Sequence, residues 1–144
     1  MPFPNEMHIG DAPIGPGHSC FVIAEAGSNH NKDMRTAQRL IDVAADAGAD
    51  AVKFQSFTAS RIAADTKHPI AQLQDRFGEY GKTLHSFYKN AELPEGWIRD
   101  LFSYARGKGI RPMSTPFDEY AVDDLVELGM EAIKIASFEL VHLP

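Results

Sequence analysis

The sequence predicts a parallel α/β protein built from repeated strand–helix units. Short apolar runs at 20–24, 51–54, 110–114 and 132–136 alternate with amphipathic stretches, the pattern of βα units. Glycines stand where the predicted helices end, at Gly48, Gly109 and Gly129, which suits a left-handed residue just past each helix. The chain has 144 residues, 44% of them hydrophobic and 24% charged, which is enough for one core and excludes wholesale disorder.

Taken in order, residues 1–18 form a turn-rich lead-in (Pro2, Pro4, Gly10, Pro13, Gly15, Pro16, Gly17), able to close as a short hairpin. Residues 19–144 carry the repeated units. The run 20–24 reads as a buried strand ending at a polar cluster, Glu25 to Asn31. Asp33 caps a helix whose apolar face is Ala37, Leu40, Ile41 and Ala44. The second strand is 51–54. Its helix comes late, with Ile98, Leu101, Phe102 and Ala105 on one face, Pro94 near its start and Gly109 past its end. The third strand, 110–114, is followed by a helix capped by Asp118 with Val122, Leu125 and Val126 facing inward. The run 132–136 is the fourth strand.

Residues 56–93 are an insertion with Leu73, Phe77, Tyr80, Leu84, Phe87 and Tyr88, which predicts short helices folded over a surface. Long βα loops of this kind carry function or form lids, although such aromatics more often serve packing.

One internal echo points to chemistry. Gly48-Ala-Asp-Ala-Val-Lys-Phe54 and Gly129-Met-Glu-Ala-Ile-Lys-Ile135 share a scheme that sets one lysine inside an apolar strand. Burying an ammonium alone is costly, so Lys53 and Lys134 need anions. Either each pairs with a core carboxylate, or both point to the C-terminal mouth of a parallel sheet, where βα proteins bind ligands. Residues just after the strands converge there: Glu25, Asn29 and His30; Lys53 and Gln55; Ser114, Thr115, Phe117 and Asp118; Lys134, Ser137 and Glu139. Two lysines, hydroxyls and two carboxylates suit a phosphorylated, carboxylated substrate and acid–base chemistry. The duller alternatives are a turn built by Asn29, His30 and Asn31, and a plain loop and cap at 115–118. A single histidine lacks the partners of a metal site.

The charge sum of −6 argues against an electrostatic nucleic-acid binder. No apolar stretch approaches the ~20 residues of a membrane span. The N-terminus shows neither a basic region nor an apolar core of a signal peptide. With one cysteine there is no internal disulfide, and Cys20, opening an apolar run, reads as a buried inert thiol rather than a nucleophile. A cytoplasmic protein is expected. Walker, G-x-G-x-x-G, C-x-x-C and H-E-x-x-H motifs are missing from the sequence, which disfavours nucleotide, redox and zinc-protease readings.

Four linked motifs, Ile23-Ala-Glu-Ala-Gly-Ser-Asn-His-Asn31, Gly48-Ala-Asp-Ala-Val-Lys-Phe-Gln55, Ser114-Thr-Pro-Phe-Asp118 and Lys134-Ile-Ala-Ser-Phe-Glu139, resemble the N-terminal part of the nonulosonic acid synthases, the sialic, legionaminic and pseudaminic acid synthases. The stretch 84–91 with Trp97 and Phe138 looks closer to the pseudaminic or legionaminic branch. The resemblance implies a (β/α)8 TIM barrel, here only about its first half, strands one to four, that condenses phosphoenolpyruvate with an N-acyl amino sugar. It also implies a divalent metal, Mn or Mg, and a homodimer when full length. Carried over, Lys53, Thr115, Lys134 and Ser137 hold phosphoenolpyruvate. Gln55, Phe117 and Glu139 face the sugar, with Glu139 handling a proton, and Glu25, the other catalytic candidate, lies at the metal and phosphoenolpyruvate end. C3 of phosphoenolpyruvate attacks the open-chain aldehyde, water adds at C2 and phosphate leaves with C–O cleavage.

A barrel needs ~250 residues, and the family's two metal-ligating histidines belong to later strands, so this chain is expected to be a piece of a longer enzyme without metal ligands of its own. Two other readings stay open: a related phosphoenolpyruvate-dependent synthase of shorter keto acids, and an inactive half-barrel binding module.

Overall fold

A computed structural model of the chain describes residues 5–141 and, of Asp75 and Arg76, the backbone only. Pro2 and Pro4 of the lead-in, and the last three residues of the 19–144 segment, lie outside the described residues.

The lead-in forms an antiparallel hairpin of β1 (Met7–Ile9) and β2 (Ala12–Ile14), turning at Gly10 with φ +58°. Asp11 at its tip pairs with Arg111, whose Nε also reaches Glu131 at 3.2 Å.

Beyond it, β3 (Ile23–Gly27), β4 (Ala51–Ser56) and β5 (Arg111–Pro116) make a parallel sheet in the order β3-β4-β5. Arg111 opens β5, so the hairpin is tethered at the N-terminal ends of these strands, away from the mouth. The connections supply α1 (Met34–Asp46), the insertion helices α2 (Ala59–Ile62) and α3 (Leu84–Ala91), α4 (Trp97–Gly107) and α5 (Glu119–Glu127). Two short 3-10 turns, Pro69–Ala71 and Asp75–Glu79, lie between α2 and α3, and a third, Glu139–Val141, follows α5.

Local chemistry explains the boundaries. The Asp33 carboxylate accepts the Thr36 N–H at 2.6 Å, and Asp118 accepts that of Ala121 at 2.9 Å, each satisfying a donor that helix geometry leaves unpaired. Gly48, Gly109 and Gly129 all take positive φ just beyond their helices. On β4 the pleat sends Val52 and Phe54 to one side, where they pack with Ile41 of α1 and with Leu101 and Ala105 of α4. Each fully buried large side chain in that layer contributes about 1.5–3 kcal/mol.

Four expectations need correction. The first strand runs over Ile23–Gly27, three residues later than the apolar run, and Val22 and Ile23 are exposed. β3 is paired only on its β4 side, so apolar character at its start finds no cover among the described residues. Cys20, expected to be buried, is exposed for the same reason. Val126 is 62% exposed, because α5 turns Ala121 and Leu125 inward instead. Residues 132–136 do not form a fourth strand: a single parallel bridge joins Ile133 to Ser114. With nothing described on its outer side, that segment has only half of the pairing that would hold it flat.

Candidate functional site

The same pleat that buries Val52 and Phe54 sends Lys53 and Gln55 to the face opposite α1 and α4. Register places Glu25 beside Lys53, Met113 beside Lys53, and Thr115 beside Gln55. Glu25, Lys53, Gln55 and Thr115, drawn from three strands, therefore share one face near the C-terminal strand ends. Lys53 is 8% exposed and forms an ion pair with Glu25; its Nζ donates to the buried Thr115 hydroxyl at 3.4 Å. The Glu25 side chain is half exposed, so the cation is buried while its counter-ion reaches solvent.

The end of β3 is shaped by a bulge. Register jumps between Glu25 and Gly27, and Gly27 takes φ +56°. A Cβ at Gly27 would lie 3.4 Å from Glu25 Oε1 and 3.8 Å from both Asn29 Nδ2 and Gln55 Nε2. Gly27 thus floors a polar cradle of these three side chains. It escaped the sequence reading, although a glycine directly after a strand was its signal.

Phe117 sits just past β5. Its N–H donates to Ser56 O at 3.1 Å, and its ring meets Phe57 edge-on at 5.6 Å; Phe57 meets Tyr88 of α3 in the same manner. The insertion thereby supports the Phe117 end of the site. Ser114, grouped by sequence with the strand ends, points to the helical side and bonds Ser56 Oγ at 2.7 Å.

Lys134, Ser137 and Glu139 lie past the edge of β5. The Lys134 N–H approaches Ser114 O at 3.5 Å, and continuing the Ile133–Ser114 register by one residue sets Lys134 beside Thr115. Its side chain is exposed. Glu139 keeps one carboxylate oxygen buried with no hydrogen-bond partner. Among the described residues, no side-chain hydrogen bond or ion pair joins these three to Lys53, so the structure assembles Glu25, Lys53, Gln55 and Thr115 but leaves the second lysine apart.

Asn31 and Lys32 both adopt left-handed φ, 49° and 53°, making the turn into α1. His30 is buried; its Nδ1 accepts the Lys32 N–H at 3.1 Å while Nε2 has no partner. Burial, aided by the nearby Lys32 charge, lowers its pKa. Missed entirely by sequence was Glu92, the one acidic residue among the described residues that is buried as a whole. Burial, the largest influence, pushes its pKa up, but the Ala59 N–H, Lys89 and Lys32 outweigh that and hold it lowered.

No group of three or more His, Cys, Asp or Glu that could hold a metal ion exists among the described residues, so the residues present do not make a metal site. A cleft of about 530 Å³ opens on the helical flank among Arg61, Glu92, Asp118 and Tyr120 rather than at the Lys53 face. No helix among the described residues is long and apolar enough to cross a membrane.

The profile of the NeuB family matches residues 40–144. The chain belongs to the NeuB family. It is 40% identical over 140 residues to an N,N'-diacetyllegionaminic acid synthase of Legionella pneumophila, covering 97% of this chain and 39% of that protein. It is likewise 40% identical over 138 residues to the spore coat polysaccharide biosynthesis protein SpsE of Bacillus subtilis, covering 96% and 36%. The crystal structure of an N-acetylneuraminic acid synthetase from Leptospira borgpetersenii superposes with a TM-score of 0.77 at 33% identity, over 94% of this chain and 42% of that one. The chain thus spans about two fifths of the length of such NeuB relatives.

Proposed function

We propose that this NeuB chain supplies the phosphoenolpyruvate end of a synthase that condenses phosphoenolpyruvate with an N-acyl amino sugar, giving a nonulosonic acid and phosphate within a (β/α)8 barrel. The observation that carries the reading is Lys53: a buried ammonium on an apolar strand, bonded to Thr115 and balanced only by a carboxylate open to solvent. A cation held in this way is preorganised for an incoming anion.

In this reading Lys53 and Lys134 neutralise the carboxylate and phosphate, while the Thr115 and Ser137 hydroxyls orient them. Gln55 and Phe117 line the sugar side. As C3 of phosphoenolpyruvate bonds to the aldehyde carbon, the aldehyde oxygen gains a proton; water adding at C2 gives one up before phosphate leaves. To Glu139, which has an unpartnered carboxylate oxygen, this reading assigns the exchange of such a proton. A divalent metal would polarise the aldehyde oxygen, with donors from outside the described residues.

The test is phosphate release by the complete gene product from phosphoenolpyruvate, with Mn or Mg, across a panel of N-acyl amino sugars. Release matched by formation of a nine-carbon keto acid is expected. Release only with arabinose or erythrose phosphates, or with no acceptor, would overturn the reading.

A further inference from the structure

Glu92 closes α3 and ties its own last turn to two segments distant in sequence. Its Oε2 accepts the N–H of Ala59, the first residue of α2, at 2.9 Å. Its Oε1 meets Lys89 Nζ at 2.6 Å and Lys32 Nζ, from the loop after β3, at 3.8 Å. Lys32 Nζ also donates to the Lys89 carbonyl. A lysine in the left-handed region is conformationally unfavourable, and its ties to Glu92 and Lys89 hold it there.

The bridge leads toward the site. Ala59 follows Phe57 by two residues, and the Phe57 ring is wedged between Tyr88 and Phe117. Gln55, on β4, lies two residues before Phe57, which follows that strand, and Ser56 O accepts the Phe117 N–H. Lys53, Gln55 and Thr115, by contrast, are held by the sheet register itself.

We propose that Glu92 is a positioning residue for the amino-sugar end of the site, fixing Phe57 and through it Phe117, while leaving the phosphoenolpyruvate end unaffected. The inference rests on the synthase reading for its substrate names, and on geometry alone for the bridge.

Two variants of the complete gene product test it. Glu92→Gln keeps shape but replaces the charge-assisted bond from Ala59 with a weaker neutral one and loses both lysine pairings; Lys32→Met cuts the tie to the loop from a partly exposed position, where misfolding is less of a hazard. Both should raise KM for the amino sugar, roughly tenfold for Glu92→Gln and less for Lys32→Met, with KM for phosphoenolpyruvate within about twofold. Equal changes in both KM values, or a fall in kcat with neither KM moved, would overturn it. Amide hydrogen exchange supplies a readout that needs no activity: Ala59 and Phe117 should exchange faster in both variants while Val52 and Lys53 do not change. If the wild type releases no phosphate, the synthase reading fails and exchange alone decides. Unaltered exchange at Ala59 and Phe117 then sinks the bridge, and selective acceleration there sustains it.

Discussion

Replacing Lys53 by methionine separates a structural lysine from a functional one. The substitution keeps the apolar stem and removes the ammonium. Exchanging both members of a buried ion pair for apolar groups is neutral or stabilising by about 1–4 kcal/mol, whereas removing one is costly only if the other charge stays buried. Here Glu25 is half exposed and can hydrate once released, so the gain falls near the low end, about 1 kcal/mol. Against it stands the Thr115 hydroxyl, buried and deprived of a long 3.4 Å bond, a loss of about 0.5–1 kcal/mol. The two nearly cancel, and Tm should move by less than about 4 °C. Anion binding should respond very differently. A charge-assisted hydrogen bond contributes about 1.5–3 kcal/mol, so phosphoenolpyruvate should bind roughly 10- to 150-fold more weakly. Thermal melts followed by circular dichroism, with calorimetric titration of phosphoenolpyruvate, read both quantities. A variant that melts some ten degrees lower while binding phosphoenolpyruvate normally would show that Lys53 is a structural ion-pair member and refute the argument.

Gly27→Ala should destabilise by about 1–3 kcal/mol, since alanine is strained at φ +56°; its Cβ would also crowd Glu25, so weaker amino-sugar or phosphoenolpyruvate use should accompany the lower Tm. His30 has a folded pKa below its unfolded value, so the unfolded chain binds its proton first. Stability should be complete above pH ~6.5 and fall as pH drops below it, a slope that melts between pH 7.5 and 5.5 will show and that His30→Gln should flatten. Asp118→Ala removes the cap of α5 and the 3.4 Å partner of Arg61; it should cost about 1–2 kcal/mol in denaturant titration, while Asp118→Asn, which keeps the cap, should cost less.

The elements were legible where the signal is local. Asp33 and Asp118 cap as their positions predict, and Gly48, Gly109 and Gly129 end their helices, because side-chain reach and positive φ depend on few neighbours. Lys53 was legible because an ammonium on an apolar strand conflicts with its surroundings and demands an explanation. Features that depend on distant partners were not. Apolar residues at 20–24 and 132–136 pattern as strands, yet a strand needs a partner in register along its length, and β3 begins later while the second run gains one bridge. Glu92 reads as one more surface acid until Lys32, Lys89 and Ala59 converge on it. Ser114 and Thr115 are adjacent in sequence, and only register shows that they point to opposite sides.

The alternation along β4 also bears on how the chain finds its fold. Phe54 belongs to the wall against α1 and α4, and Lys53 to the opposite face. A slip of one residue in pairing would thrust the ammonium into the hydrocarbon layer and push the benzyl ring out beside Glu25, inverting every side chain of the strand. Such a mispaired sheet would be penalised twice, by a stranded charge and by lost packing. The lysine that makes the site attractive to anions therefore also acts as a proofreader of strand alignment, and variants that neutralise it should fold with more misaligned by-product even where their final stability is unharmed.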